Sequence, residues 1–536
     1  MPSINSIYSK KMLFLLASLM VVGMLTVTAC GGGDTEPVNE DDEYASGIIY
    51  SLRADPDTLD PQRAIDQPSG QVLVSIYNAL FALGDDGELE PDLAEDYEIS
   101  KDGLVWTFYL RDDVKFHDGT DFNAEAVKFV YDRQFDEELD LAFGGRFRRY
   151  VSGPESIRVV EEHVLEIETE QPSPYFGYLI ATGAPGYIPS PAAIEEYGED
   201  LGTNPVGTGP FVFESWSSGE EVFLNAYEDY HGEGPYIDKL EMRIITEDSA
   251  REMALEAGDI HMAPNIPPRS IPSLEAQESI EVVNSPLYRV FYWAFNTTKP
   301  YFEDVQVRQA FNYAVDREAI VDHVLQSVGT VTHSPLSPIS EGYVDTEFYP
   351  YDPDRAREML EDAGWDFDRE LVAYVTSGRY YQDREAGEAL AGMLDEIGVQ
   401  VDIQVLEWGA FVDKVWFTPH DDPDAQARDF MQTTWGSDNV AWTLQAVLHS
   451  DAWPPNVYNE AFFADDRVDE LIDAIEREMD EEKRHEYLAD VQERIMEQAP
   501  WIPVYAETQV YAMTDKLEDV RIWTELVRFD RARLRK

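Results

Sequence analysis

The 536-residue sequence is poor in cysteine and in lysine, and each shortage excludes a class of protein. Its single cysteine, Cys30, rules out an intramolecular disulfide and a zinc site built from several thiolates. Only 11 lysines and 29 arginines stand against 106 acidic residues, so the formal net charge is −66. A surface this negative repels phosphate backbones, which excludes nucleic acid as a partner.

Catalytic and metal-binding motifs are also missing. The sequence has no Gly-x-Ser-x-Gly elbow, no phosphate-binding loop and no pair of histidines placed around a glutamate as in zinc proteases. The glycine-rich segment 207–210 ends in Pro210, which lacks the amide that a phosphate would need, so it is predicted to be a turn. We expect no catalytic residue, no metal and no cofactor. An exported hydrolase stays open as an alternative, because a carboxylate pair could lie hidden among the acids.

The charge that is present favours a protein adapted to high salt. Dense carboxylates hold water and cations, and salt screens the repulsion between them. We therefore predict a halophilic protein whose fold needs molar salt. An ordinary acidic protein from a dilute medium is the alternative.

The first thirty residues have the pattern of an export signal. Lys10 and Lys11 precede a mostly apolar run over 12–25, which is shorter than the roughly 20 residues of a bilayer-spanning helix. The run ends in small residues directly before Cys30. We predict that 1–29 is a cleaved signal peptide and that 30–46, rich in glycine and acidic residues, is a flexible tether.

The placement of Cys30 resembles that of bacterial lipoproteins, in which this cysteine is acylated and becomes the new N-terminus. The resemblance implies a lipid anchor at Cys30. Two or more acyl chains, at roughly 0.8 kcal/mol per buried CH₂, would hold even a polyanion on a membrane. The remaining chain is then expected on the outer face of the cytoplasmic membrane, in the periplasm where a second membrane is present. A lone buried cysteine is the alternative.

The rest of the chain alternates strand and helix patterns, which predicts an α/β protein of two or three domains. Trp106, Phe108 and Leu110 mark one face of a strand over 105–111. A second strand is predicted over 399–405. Helices are predicted over 352–364, 386–397, 468–479 and 487–500.

A series of short motifs follows in order along the chain. These are 57–61 (DTLDP), 90–94 (EPDLA), 106–111 (WTFYLR), 114–119 (VKFHDG), 205–211 (PVGTGPF), 304–317, 352–364 and 499–503 (APWIP). Their order and spacing resemble solute-binding protein family 5, the extracytoplasmic peptide-, oligopeptide- and nickel-binding receptors of ABC importers. The resemblance covers about residues 47–530.

The resemblance implies a two-lobed, periplasmic-binding-protein-like fold, type II-like with an extra inserted domain, mixed sheets and a hinge between the lobes. Carried onto this chain, domain I takes 47–80, 200–285 and 500–530. Domain II, the inserted one, takes 81–199, and domain III takes 286–499. The two lobes are expected to close on a ligand, which shifts the open–closed equilibrium.

The same resemblance assigns ligand-binding residues to the segment that begins at Trp435. Asp438 corresponds to an aspartate that binds the ligand's α-ammonium in peptide-binding members, and a surface acid is the alternative. Trp435 is expected to wall the pocket or to lie in the core. Asn439 and Trp442 complete this set, although Trp442 stands where the family's pattern differs, which leaves the far wall open.

A second segment supplies the opposite charge. Arg379 lies near the position of an arginine that binds the ligand carboxylate in some dipeptide-binding members, and a guanidinium fork suits a carboxylate. Tyr380 is expected to add ring and hydroxyl contacts. A surface ion pair is the alternative for Arg379, and its register is uncertain by one residue.

These assignments predict a monomeric, non-enzymatic receptor. It would capture a di- or oligopeptide outside the membrane and deliver it to an ABC permease with its ATPase subunits. The same fold could instead carry a metal chelate, an oligosaccharide or an opine, because one scaffold hosts many sites.

Overall fold

The computed structural model describes residues 44–84, 87–139, 141–142, 144–181, 186–345 and 348–536. Cys30, the signal peptide and most of the predicted tether lie outside the described residues. The last residues of that tether are already part of the fold. Tyr44 bridges to Arg535, and the amide of Ala45 donates to the carbonyl of Leu534 at 2.7 Å.

The strands are numbered along the chain. They are β1 Gly47–Leu52, β2 Phe81–Leu83, β3 Leu89–Pro91, β4 Ala94–Ile99, β5 Val105–Leu110, β6 Ile157–Glu161, β7 Val164–Glu168, β8 Phe211–Ser217, β9 Glu221–Ala226, β10 Lys239–Ile244, β11 Met262–Ala263, β12 Ile280–Phe295, β13 Thr330–Val331, β14 Glu370–Ser377, β15 Gln400–Glu407, β16 Phe430–Trp435, β17 Trp501–Thr514, β18 Leu517–Glu518, β19 Arg521–Trp523, β20 Leu526–Arg528 and β21 Arg533–Leu534.

The α-helices lie between these strands. Their bounds are Gln67–Ile76, Ala124–Asp132, Gly144–Arg148, Phe176–Leu179, Pro191–Tyr197, Asp248–Ala257, Ile271–Glu275, Val305–Tyr313, Arg317–Ala319, Pro353–Asp362, Asp383–Glu396, Trp408–Phe411, Pro423–Ala427, Val440–Leu448, Asp466–Arg477 and Glu481–Gln498. Short 3₁₀ and π turns extend several of them.

One large mixed sheet organises most of the described chain. Its order is β15-β14-β16-β12-β17-β11-β1-β10-β9-β8, with β13 added to β17. We call β1 and β8–β11 the β1 half and β14–β16 the β14 half. The two long strands β12 and β17 pair with each other at the centre of the sheet. β12 also pairs with β16 of the β14 half, and β17 pairs with β11 of the β1 half, so these two strands join the halves.

A separate four-stranded antiparallel sheet, β4-β5-β7-β6, lies within the segment predicted to be an inserted domain. The predicted strand face is confirmed, because Trp106, Phe108 and Leu110 are all buried. Trp106 stacks on Phe108 at 6.2 Å between ring centroids and meets Phe176 edge-on at 5.6 Å. This aromatic core is distinct from the cores on the two faces of the large sheet.

The predicted helices are also confirmed, with shifts of a few residues at their ends. The side chain of Asp352 caps its helix by accepting from the amide of Arg355 at 2.9 Å. The strand predicted over 399–405 is β15, which lies at the edge of the sheet, and its Val405 is 40% exposed. An edge strand keeps the alternating pattern but buries less of its apolar face.

The glycine-rich segment 207–210 is a turn that packs against the end of the first helix. A Cβ on Gly207 would lie 2.2 Å from the carbonyl oxygen of Ile76, and one on Gly209 would lie 2.5 Å from the carbonyl carbon of Ile76. Close backbone approach therefore requires glycine at both positions. No phosphate-binding role is needed to explain them.

Two arginines of the 304–317 motif are structural. Arg308 donates to the carbonyls of Gln498 and Glu303, and Arg317 donates to that of Pro503 at 2.7 Å. Both side chains are almost fully buried. They tie the helix Val305–Tyr313 to the start of β17, because buried carbonyl groups need donors.

Candidate functional site

The predicted ligand residues lie on two loops at the carboxyl ends of neighbouring parallel strands. Arg379 and Tyr380 follow β14, whereas Trp435 ends β16 and Asp438 follows it. The hydroxyl of Tyr380 lies 3.3 Å from that of Thr433 on β16, which joins the first loop to the second strand. In open α/β sheets, crevices at such strand ends are the usual ligand sites.

The loop that carries Arg379 is held by a buried carboxylate. Asp383 accepts from the amides of Gly378, Arg379 and Tyr380 at 3.0, 3.1 and 3.2 Å. The Arg379 side chain is exposed, and its guanidinium carbon lies 4.8 Å from the ring centroid of Trp408. The backbone of the loop is thus fixed while the guanidinium stays accessible to solvent.

The segment after β16 leaves the sheet at a glycine. Gly436 has φ +156°, and a Cβ there would lie 2.0 Å from the carbonyl oxygen of Tyr288 on β12. Trp435, just before it, contacts the ring of Tyr458 at 5.0 Å between centroids. Among the described residues its buried indole nitrogen has no hydrogen-bond partner. Trp435 therefore presents one polar atom that is not used within the described fold.

Asn439 begins the helix Val440–Leu448 and is buried. Its side-chain oxygen accepts from the amide of Trp442 at 2.9 Å. Such N-caps contribute about 1 kcal/mol to a helix. Burial raises the pKa of the Tyr150 hydroxyl, and the neighbouring Asn439 side chain opposes that rise. Asn439 therefore fixes the start of this helix and lies near Tyr150, in the segment predicted to be an inserted domain. The capping role was not predicted from the sequence.

Asp438 is partly buried and faces a cation from another part of the chain. One of its oxygens accepts from the amide of Asn439 at 2.9 Å. Burial lowers the pKa of Arg146, and the charge of Asp438 opposes that shift. Arg146 also lies 5.0 Å from the ring centroid of Trp442. The Asp438 carboxylate is thus not an isolated anion, and a ligand ammonium would share it with Arg146.

A second charged group lies where the ladder between β12 and β17 is interrupted. Between Pro286 and Val290 the pairing skips, so three residues of β12 face one residue of β17. Bulges of this kind redirect side chains and bend strands. Arg289, within the interruption, pairs with Glu507 at 2.6 Å and with Glu525 at 2.8 Å.

Two further arginines surround Glu525. Burial alone would raise its pKa, but Arg289, Arg53 and Arg379 together hold the pKa below its usual value. Arg53 directly follows β1, and Glu525 lies in the turn between β19 and β20. Arg379, which follows β14, is therefore close to Glu525, and so is Arg53 at the end of β1.

Sequence reasoning missed Arg53, Arg146, Arg289 and Glu525. Arg53 could have been found from its position directly after a strand. That strand, β1, runs parallel to its neighbours β10 and β11, and ligand sites are common at the carboxyl ends of parallel strands. No local pattern marks the other three. Arg289 and Glu525 are brought together by the fold across more than 200 residues of sequence.

Two small, partly open cavities lie beside the helix Gln67–Ile76 and do not coincide with the two loops. One of about 20 Å³ is lined by Asn78, Asp92 and Arg528, among others, and one of about 30 Å³ by Trp523 and Leu526, among others. A cavity of this size holds about one or two waters. Neither has room for a solute.

The described residues contain no helix that is long and apolar enough to cross a membrane. Within the same residues, no three histidine, cysteine, aspartate or glutamate side chains are grouped as metal ligands would be.

Comparisons with known proteins agree on one family. Residues 88–455 match the model described as bacterial extracellular solute-binding proteins, family 5 Middle. The chain is 31% identical over 476 residues to the glutathione-binding protein GsiB of Salmonella typhimurium, covering 88% of this chain and 91% of that one.

Solved structures of the same kind match closely in shape. The periplasmic binding protein DppA of Helicobacter pylori, in complex with the peptide STSA, has a TM-score of 0.76 and 25% identity, over 93% of this chain and 100% of that one. NikZ of Campylobacter jejuni, in complex with Ni(L-His), has a TM-score of 0.74 and 22% identity, over 91% and 97%.

Proposed function

Because the chain belongs to family 5 of the bacterial extracellular solute-binding proteins, the non-enzymatic substrate-binding components of ABC importers, we propose that it binds a peptide. The observation that carries the proposal is the pair of loops at the ends of β14 and β16. One loop offers an accessible guanidinium at Arg379, and the other offers a carboxylate at Asp438. A peptide carries the complementary ammonium and carboxylate at its two ends.

The relatives support this ligand class. Glutathione, which GsiB is named for, is a tripeptide, and DppA of Helicobacter pylori is in complex with the four-residue peptide STSA. The complex of NikZ with Ni(L-His) keeps a metal chelate as the alternative, beside an opine or an oligosaccharide. A sugar carries neither charge, so on closure it would desolvate both groups without offering either of them an opposite charge, which is costly.

Each residue then has a proposed role. The Asp438 carboxylate accepts from the ligand ammonium while it also faces the Arg146 cation. Arg379 binds a ligand carboxylate. Trp435 walls the pocket and offers its indole N–H, which has no partner among the described residues. Tyr380 contributes a ring and a hydroxyl beside Arg379.

Asn439 and Trp442 contribute mainly by fixing the pocket wall. Asn439 caps the helix Val440–Leu448, and the ring of Trp442 lies beneath the guanidinium of Arg146.

We propose the domain division predicted from the sequence as the frame for closure. Domain I, 47–80, 200–285 and 500–530, contains the β1 half. Domain III, 286–499, contains the β14 half, and domain II, 81–199, contains the four-stranded sheet. The lobes would close by bending β12 and β17, and the interrupted pairing after Pro286 is the natural place for that bend.

The remaining proposals concern the protein's setting. Acylated Cys30 would anchor the chain to the outer face of the cytoplasmic membrane, and residues 30–43 would tether it there. The receptor would act as a monomer and deliver its ligand to an ABC permease and its ATPase subunits. The net charge of −66 would adapt its surface to molar salt.

A calorimetric panel in molar salt tests the proposed ligand class. Glutathione, a neutral tripeptide and a tetrapeptide are titrated beside maltotriose and a nickel–histidine complex. We expect at least one peptide to bind and the sugar and the chelate to give no heat, because only peptides carry both end charges. Binding of the sugar or the chelate without any peptide would replace the peptide assignment and leave the family membership intact.

A further inference from the structure

Three arginines and two glutamates form one charged group between the two halves of the large sheet. We call Arg53, Arg289, Arg379, Glu507 and Glu525 the arginine cluster. Arg289 is fully engaged, since its Nε donates to Glu507 at 2.6 Å and its Nη1 bonds to Glu525 at 2.8 Å. Both carboxylates therefore bond to the same guanidinium. Among the described residues neither carboxylate forms an ion pair with Arg53 or Arg379, although both of these charges help to lower the pKa of Glu525.

Arg53 is partly buried, and no described residue bonds to it directly. Within the described part of the chain, its guanidinium makes no hydrogen bond and no ion pair. Burial lowers the pKa of Arg53, and Arg379, Arg289 and Arg251 lower it further, while Glu525 alone raises it. The surroundings of this cation are thus mostly cationic. A partly desolvated charge in such surroundings needs an anion.

Arg379 is the second arginine of the cluster that forms no ion pair with a described carboxylate. Its guanidinium lies over Trp408 at 4.8 Å and over Tyr380 at 5.5 Å, and its side chain is exposed. It comes from the β14 half, whereas Arg53 comes from the β1 half. The arginine cluster therefore has one positive charge more than it has negative charges, and its two unpaired members come from opposite halves.

We propose that a ligand carboxylate binds between Arg53 and Arg379, so that the carboxylate joins the two halves of the receptor. The inference rests on the proposed peptide-binding function and narrows its substrate class. The receptor takes short peptides with a free carboxylate and discriminates against amidated peptides, neutral sugars and cationic chelates. Arg53 is then a specificity-determining residue, because a carboxylate held by Arg379 alone would not favour closure.

The overall charge of the chain does not oppose this. At a net −66 the protein repels anions at long range in dilute solution. At 1 M salt the Debye length is about 3 Å, so that repulsion is screened while contacts at hydrogen-bond distance persist. An effect of Arg53 that arises from contact must therefore survive in molar salt, whereas an effect of long-range attraction must vanish there.

A double-mutant cycle between protein and ligand tests the contact. Wild type and Arg53→Gln are titrated by calorimetry in 1 M and 3 M salt with trialanine and with trialanine amide, and with glutathione and its glycine ethyl ester. We expect Arg53→Gln to weaken binding of the free acids about 10- to 100-fold at both salt concentrations, since hydrogen bonds to charged groups contribute about 1.5–3 kcal/mol. The same substitution should change the Kd of the amide or the ester less than about threefold, because their binding no longer includes the contact.

Two further variants keep the result interpretable. Arg53→Lys retains the charge and should fold as wild type does, with an intermediate loss of affinity for the free acids. Arg243→Gln removes a partly exposed arginine of the β1 half that pairs with Glu241, and it should bind both ligand forms as wild type does.

The outcomes separate this inference from the proposed function. Equal weakening of acid and amide by Arg53→Gln, or the same weakening by Arg243→Gln, overturns the contact and leaves peptide binding standing. Absence of the Arg53 effect in molar salt also overturns the contact, because a bond at hydrogen-bond distance survives screening. Failure of every peptide to bind wild type overturns both.

Discussion

Replacing Asp438 with alanine is expected to weaken peptide binding by about 2–5 kcal/mol, or about 30-fold to several thousand-fold in Kd. The loss has two origins. The ligand ammonium loses its carboxylate, and Arg146 loses the Asp438 charge beside it, so its positive charge repels the ammonium more strongly. Calorimetry in molar salt measures the change directly.

A ligand control and a protein control accompany this substitution. N-acetylation of the peptide removes the ammonium and should weaken binding to wild type, while adding little further loss in Asp438→Ala. Asp395→Ala removes an exposed carboxylate of the same predicted domain and should leave the affinity unchanged. Unaltered affinity of Asp438→Ala for the free peptide would remove Asp438 from the site.

Lowering the salt concentration is expected to unfold the protein, the largest effect on stability that the sequence predicts. The physical reason is repulsion between neighbouring carboxylates, which single helices already show. On the helix Pro353–Asp362, the exposed Asp354, Glu358 and Asp362 follow each other at four-residue intervals. Like charges at this spacing destabilise a helix by about 0.2–0.5 kcal/mol per pair, and salt screens them. With 106 acidic residues in the chain, many such pairs add up.

The melting temperature should therefore rise steeply between 0.1 M and 3 M salt, over which the Debye length falls from about 10 Å to below 3 Å. Glu358→Gln should raise the melting temperature more at 0.1 M than at 3 M. Glu361→Gln is the matched control. It removes one negative charge from the same helix, but Glu361 pairs with Arg357 at 3.0 Å, so the substitution breaks an attraction as well. A melting temperature indifferent to salt would refute the halophilic interpretation and leave the receptor assignment untouched.

The fold was predictable where one segment carries its own pattern. The strand over 105–110 buries Trp106, Phe108 and Leu110 because alternation alone fixes its inner face. Asp352 caps the helix Pro353–Asp362, as the Asp-Pro pair at its start predicts. Such features depend on neighbours within a few residues, and the sequence contains all of them.

The site was predictable only in part, because its charges meet through the fold. The loops of Arg379 and Asp438 are predicted from the family resemblance, and they lie at the ends of neighbouring parallel strands. Their role in ligand binding stays a prediction. The pairing of Arg289 with Glu525 depends on the path of β12 and on a turn far along the chain. Arg146 reaches Asp438 from the segment predicted to be an inserted domain, and no spacing along the sequence encodes that contact.

Mass spectrometry of the ligand released when the purified protein is denatured tests most directly the claim that this receptor binds peptides. Closed receptors retain ligand, so the released fraction reports what the cleft selects in the cell. We expect fragmentation along amide bonds that yields a short peptide with free amino and carboxyl groups. A released sugar, opine or metal chelate, with no peptide beside it, would contradict the peptide assignment.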